Sequence, residues 1–181
     1  MLRPRLRHLT GSAALALALL AAAGAARAAT VSVVPNDTTV TQGDTFLLRI
    51  QTDAFPDLKA YQLIYGYGAI LQYLGPIAGD VLTAGSDPYT VNNVPDAVAP
   101  ADTAWTDCAK LFSSTSGPGV LLYLKFKAVS QGVSPIQCLN VDFRDSLNNQ
   151  TLPACVPGIV RVEGPVPTRK ATWTRVKAVY R

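Results

Sequence analysis

The chain has 181 residues, with 16 bases, 12 acids and one histidine, for a formal charge of +4. Four arginines and His8 fall within the first 28 residues, so the remainder carries 12 bases against 12 acids and no imidazole. That remainder cannot assemble a Ser-His-Asp or Cys-His nucleophile system or bind a metal through histidine, and its neutrality gives no reason to expect a nucleic-acid partner.

The first element is a targeting segment, residues 1–28. Arg3, Arg5 and Arg7 open it, Ala13 to Ala23 is an unbroken run of Ala and Leu, and Ala26-Arg27-Ala28 supplies the small-x-small cleavage pattern. This is the pattern of a secretory signal peptide. The run is too short to span a hydrocarbon core, which needs about 20 apolar residues, and no later stretch is long enough. The mature chain is therefore expected to begin near Ala29, to be secreted or at the cell surface of a bacterium, and to have no transmembrane span.

From there the pattern is β. Thr30 to Val34 is short and β-branched. Thr45 to Gln51 alternates, with Phe46, Leu48 and Ile50 on one face. Tyr61 to Tyr67 puts Tyr61, Leu63 and Tyr65 on one face and Gln62, Ile64 and Gly66 on the other. Ala69 to Leu74 and Tyr89 to Val91 are short strand candidates, and Ala104 to Phe112 alternates around Trp105. Val120 to Val129 is the clearest run: Val120, Leu122, Leu124, Phe126 and Ala128 face one way, Leu121, Tyr123, Lys125 and Lys127 the other. Pro135 to Phe143 and Ile159 to Val162 complete the set. Period-2 runs of this kind mark half-buried strands, and Gly- and Asn-rich turns separate them, as at Gln42-Gly43-Asp44, Gly117-Pro118-Gly119 and Asn148-Asn149. No stretch before residue 165 has a helical period. Short strands at this spacing predict an all-β, two-sheet sandwich or jelly roll.

The composition changes at Gly164-Pro165. Residues 29–164 hold 7 bases and 12 acids, whereas residues 165–181 hold five bases and no acid. The chain thus divides into a signal peptide (1–28), one β domain (29–164) and a basic tail (165–181). A helical tail would align Trp173, Val176 and Tyr180; too short to fold alone, it would order against an acidic surface, an anionic headgroup or a sorting receptor.

Three cysteines remain, Cys108, Cys138 and Cys155. Export permits a disulfide. Cys138 and Cys155 flank a polar turn region and form the favoured pair; Cys108–Cys138 and no bridge are the alternatives. No C-x-x-C spacing suggests a metal, and no cofactor is implied. Asp142 and Asp145, with Asn148 and Asn149, have oxygen enough for Ca²⁺ but read better as turn and edge chemistry. No paired carboxylates suggest a glycosidase, so no catalytic residue is assigned and the chain is expected not to be an enzyme. Trp105 is a candidate sugar-stacking residue, against the commoner role of a core aromatic.

The order and spacing of four pieces resemble a cohesin domain, the module that docks dockerin-bearing enzymes onto cellulosomal scaffolds. They are Val40-Thr41-Gln42-Gly43-Asp44-Thr45-Phe46; Tyr61 to Gly66 with Ile77 to Leu82; Gly119 to Ala128 followed by Gly132-Val133-Ser134-Pro135-Ile136; and Val141 to Asp145 with Gly158 to Val162. Together they span about residues 30–163. The resemblance implies a jelly-roll sandwich of about nine strands and a non-catalytic module that binds a dockerin-like protein through the outward face of Gln62, Ile64 and Gly66, in the context of polysaccharide breakdown. One departure matters. Cohesins commonly carry Asp directly after the third-strand Tyr; here that position is Gly66, preceded on the same face by Ile64. The alternatives are a carbohydrate-binding module of the same superfamily, with polysaccharide as its partner, and a structural surface protein held by the basic tail.

Overall fold

The computed structural model describes residues 29–93 and 102–165. Residues 1–28, expected to be a targeting segment, and the expected tail contacts Trp173, Val176 and Tyr180 lie outside the described residues. Twelve strands and one helical turn follow in chain order: β1 (Thr30–Val34), β2 (Asp37–Thr41), β3 (Thr45–Thr52), β4 (Ala60–Gly66), β5 (Leu71–Ala78), α1 (Asp80–Thr83), β6 (Tyr89–Asn93), β7 (Thr103–Lys110), β8 (Gly119–Ala128), β9 (Gly132–Arg144), β10 (Gln150–Thr151), β11 (Ala154–Val156) and β12 (Gly158–Glu163). The all-β sandwich expected from the alternation is present. One sheet runs β11-β1-β3-β8-β5; the other runs β2-β12-β9-β4-β7-β6, with β10 added along β9.

The described residues form twelve strands where about nine were expected, and the three that the alternation did not announce are β2, β10 and β11. β10 and β11 have two and three residues, too few for a period-2 signal. β2 reads Asp-Thr-Thr-Val-Thr, with one apolar side chain. Pro35-Asn36 separates it from β1 and carries the chain from one sheet to the other. Each half then pairs in parallel with a late strand, β1 with β11 and β2 with β12.

The core lies between the sheets. Val31, Val33, Leu48, Ile50, Leu122, Leu124 and Phe126 come from one; Tyr61, Leu63, Tyr65, Ile136, Val141, Phe143, Val160 and Val162 come from the other. Burying side chains of this size contributes roughly 1.5–3 kcal/mol each. Phe126 has Tyr67, Tyr73 and Phe46 around it, with ring centroids 5.1, 5.4 and 6.0 Å away.

Two residues depart from the alternation: Val120, expected on the face of Leu122, pairs with the outward Gln51 and is only half-buried, and Leu121 is reversed with it. Leu121, assigned to the outward face, is fully buried. The register between β3 and β8 moves from Ile50↔Leu122 to Gln51↔Val120, so Leu121 is an extra residue on β8. Such a bulge turns two successive side chains to one side, and Leu121 and Leu122 both enter the core. The turn before α1 closes over this point. Gly79 donates its N–H to Leu121 O at 3.0 Å, and a Cβ there would stand 2.1 Å from Val120 O. Only glycine permits that approach. Asp80 then accepts the Val120 N–H at 2.5 Å. At four residues, α1 is too short to leave a helical period in the sequence.

Cys138 and Cys155 form a disulfide with a Cα–Cα distance of 6.3 Å. Cys138 is on β9 and Cys155 on β11, so the bond joins the two sheets. Cys108 is a free, buried thiol.

Candidate functional site

β4 is a central strand of the larger sheet, between β9 and β7. Its alternation is strict: Tyr61, Leu63 and Tyr65 are buried, while Gln62, Ile64 and Gly66 are half-exposed on the outer face. Register brings the neighbours into rows. Gln62 lies opposite Asp107 of β7 and Asp142 of β9, and Asn92 of β6 continues that row beyond Asp107. Ile64 lies opposite Trp105 and Asn140. Gly66 lies opposite Thr103 and Gln137.

Trp105 is thus on the outer face, half-buried, and paired with Ile64; it is not a core aromatic. The residues predicted separately for protein contact and for sugar stacking occupy one surface. Leu139 joins them by a second bulge. The register on β4 passes from Ile64↔Asn140 to Tyr65↔Cys138, leaving Leu139 as the extra residue. Leu139 is 55% exposed, and its Cδ1 would lie 3.3 Å from a Cβ placed on Gly66. The missing side chain at Gly66 is the space over which Leu139 lies. One end of the face is therefore apolar: Trp105, Ile64, Leu139 and the bare Gly66.

The other end is polar. Gln62 donates to Asp107 Oδ1 at 2.8 Å and accepts from Asn140 Nδ2 at 2.9 Å. Trp105 Nε1–H reaches the same Asp107 oxygen at 3.3 Å. Four side chains on three strands are so held in fixed orientations. Beyond them a shallow depression of about 350 Å³ is lined by Gln62, Asn92, Thr90, Asp107, Asp142 and Arg144, among others. Its floor is low because Ala60 and Ala109 face each other across β4 and β7. Asp142 Oδ2 accepts from Arg144 at 3.0 Å and Gln150 at 2.8 Å. Asp142 Oδ1 is buried without a hydrogen bond.

This arrangement offers packing area and directed hydrogen bonds, and its two outward carboxylates, Asp107 and Asp142, are both engaged by neighbouring side chains. Cys108, beneath the depression, points into the core, where burial pushes its thiol up to about 12. Among the described residues no three of His, Cys, Asp and Glu stand close enough to hold a metal. Asp145 is occupied by its own turn: it accepts from Leu147 N, Asn149 N and Asn149 Nδ2 at 2.9, 2.7 and 2.7 Å.

Gln62, Ile64 and Gly66 were readable from strand alternation, whereas Trp105 was a candidate by residue type alone, with the core the commoner expectation. Asp107, Asn140, Asp142 and Arg144 were not singled out for this face, although each continues an i, i+2 outward series on β7 or β9. Leu139 had no such signal, because its exposure depends on the bulge.

No family model and no curated protein sequence matches the chain. Solved structures do. A non-cellulosomal cohesin from the archaeon Archaeoglobus fulgidus is 16% identical, with TM-score 0.60, covering 80% of this chain and 95% of that one. A cohesin in a type I cohesin–dockerin complex from Clostridium thermocellum is 17% identical, with TM-score 0.62 and coverages of 76% and 95%. The cohesin module of a family 33 glycoside hydrolase from Clostridium perfringens is 10% identical, with TM-score 0.62 and coverages of 76% and 98%. The residues described here have the cohesin fold.

Proposed function

We propose that this chain, built on the cohesin fold, is a secreted or surface-located non-catalytic module that captures a dockerin-like protein on the outer face of β9-β4-β7-β6. The observation that carries the reading is the composition of that face. Ile64, Trp105 and Leu139 form an apolar patch without charge, bordered by the hydrogen-bonded set Gln62, Asp107 and Asn140. A buried aromatic anchor with a polar surround is the usual anatomy of a protein interface. Solved cohesins of this fold include complexes with dockerins, which gives the partner class. With Gly66 in place of an Asp, affinity here depends more on packing and less on a carboxylate contact. Export and a link to polysaccharide breakdown belong to the same proposal.

The test is capture from the source secretome on immobilised protein, in calcium and in chelator. The expected catch is calcium-dependent and carries paired Asp-rich calcium loops. Ile64→Asp should lower its affinity at least tenfold, since a desolvated carboxylate in an apolar patch costs more than 1.4 kcal/mol. An empty catch in both buffers, or an Ile64→Asp variant that binds like wild type, sinks this reading.

Trp105 on the outer face beside a polar depression favours one second reading, a polysaccharide-binding face. Retention on insoluble polysaccharide that Trp105→Ala abolishes without unfolding would select it. Trp105 fluorescence indifferent to every glycan would remove it.

A further inference from the structure

The second large face of the molecule, the outer side of β3-β8-β5, has a different chemistry. The strands of the smaller sheet, β1, β3, β5, β8 and β11, contain no Asp or Glu; their only charged residues are Arg49, Lys125 and Lys127. All three face outward. Register sets them in consecutive rows: Arg49 beside Tyr123 and Ile77, Leu47 beside Lys125 and Gly75, Thr45 beside Lys127 and Gln72. Leu47, Leu74 and Ile77 are 47%, 44% and 45% exposed. The bulge at Leu74, made possible by Gly75 at φ +111°, holds one of these aliphatic groups at the sheet's edge strand. Among the described residues none of the three bases has an ion-pair partner, and Arg49 Nε is buried without a hydrogen bond. The two acids nearest in sequence are engaged by backbone N–H groups: Asp53 accepts from Thr30 N and Ala54 N, and Asp44 from Thr41 N. On the other sheet, by contrast, Arg144 pairs with Asp142 and Arg161 with Asp37.

We propose that this face docks on an anionic lipid surface. Three considerations select that occupant. Bases with no compensating acid are attracted to a negative surface potential. Aliphatic side chains and a tyrosine interleaved with bases are the set that sits at a bilayer interface, where apolar groups enter the headgroup region and charges stay at its level. The rows run across three paired strands, β3, β8 and β5, so these side chains are spread over an area as a planar surface requires. The face is on the opposite sheet from Ile64 and Trp105, so lipid docking would leave the proposed partner face free, and the inference does not depend on the proposed partner.

The test is co-sedimentation of the chain from Ala29 to Arg181, basic tail included, with vesicles of phosphatidylcholine alone or with 30% phosphatidylglycerol. Wild type should pellet only with the anionic vesicles and be released by 0.5 M salt. Lys125→Gln/Lys127→Gln should lower the partition coefficient about tenfold or more. Lys59→Gln/Arg161→Gln should leave it unchanged, since it removes the same charge from the larger sheet, where Arg161 is on β12 and Lys59 precedes β4 with its backbone bonded to Arg144 of β9 and Lys110 of β7. Leu47→Asn should weaken vesicle binding while retaining binding to soluble polyglutamate. Thermal melts check that each variant folds, and Leu47→Asn decides the matter if the double variant does not. Failure of wild type to pellet overturns the proposal. So does equal binding by Lys125→Gln/Lys127→Gln, which would assign the attraction to the tail. Binding to polyglutamate without binding to vesicles would assign the face to an acidic protein instead.

Discussion

Asp145 shows what several acids among the described residues do. Its carboxylate is fixed by the side chain and backbone of Asn149 and by the Leu147 N–H, and these bonds hold its pKa below the ordinary 3.8. Asp87 is lowered in the same way by Ser113, and Asp57 by Ser114 and Ser146. All three are half-buried in surface turns, where solvent screening keeps each effect small. The sign is definite: a carboxyl whose folded pKa is depressed stabilises the fold above its unfolded pKa and loses that contribution as pH falls through the folded value. The melting temperature should therefore be level from pH 7 to pH 5 and decline below about pH 4. Asp145→Asn should lower it at neutral pH and shallow the acid decline. Thermal melts across pH check both, and a decline already complete at pH 5 would point to another group. Asp145 could be read as a turn former from its neighbours alone, because an Asp two to four residues before backbone N–H groups acts locally; Asp87 and Asp57 could not, since their donors Ser113 and Ser146 lie 26 and 89 residues away.

At the scale of elements, the disulfide between β9 and β11 has the clearest energetic consequence. It closes a loop of about 17 residues, a constraint of about 3 kcal/mol on the unfolded chain. Removing it by Cys138→Ser/Cys155→Ser should lower the melting temperature by about 10 °C. A thiol titration without reductant should find none reactive in the native protein and one, Cys108, after denaturation. Three reactive thiols in the denatured protein would mean that the bridge is absent. The elements themselves differed in how readable they were. β3, β4 and β8 announce themselves because one face is buried and the other wet, so the hydrophobic pattern fixes their register. The bulges at Leu74, Leu121 and Leu139 do not, since a bulge is a property of two paired strands and the sequence of one carries no mark of it. That limit reached the candidate site: Ile64 and Trp105 were visible singly, but their adjacency came from pairing, and Leu139 entered only through the register shift.

For the molecule as a whole, charge and apolar area are distributed over two faces. One carries hydrogen-bonded polar side chains beside an uncharged patch; the other carries unpaired bases among aliphatic groups. A module with both could hold a partner on one side while resting on a surface with the other. The split first strand adds a mechanical property. β1 and β2 run the same way in different sheets, and β12 runs parallel to β2 and ends where it ends, at Glu163↔Thr41. The described chain therefore enters at one pole, at Ala29, and leaves at the other, past Glu163. Tension applied between those points pulls β2 and β12 lengthwise in opposite directions. Their ladder is loaded in shear, with its hydrogen bonds sharing the force, instead of being peeled apart one at a time. Single-molecule stretching between Ala29 and Pro165 should give a higher rupture force than pulling across a pair of antiparallel neighbours such as β6 and β7. Equal forces in the two directions would show that the parallel pairing is not the mechanical clamp. A tether of this geometry would bear drag from a large bound partner along its strongest axis.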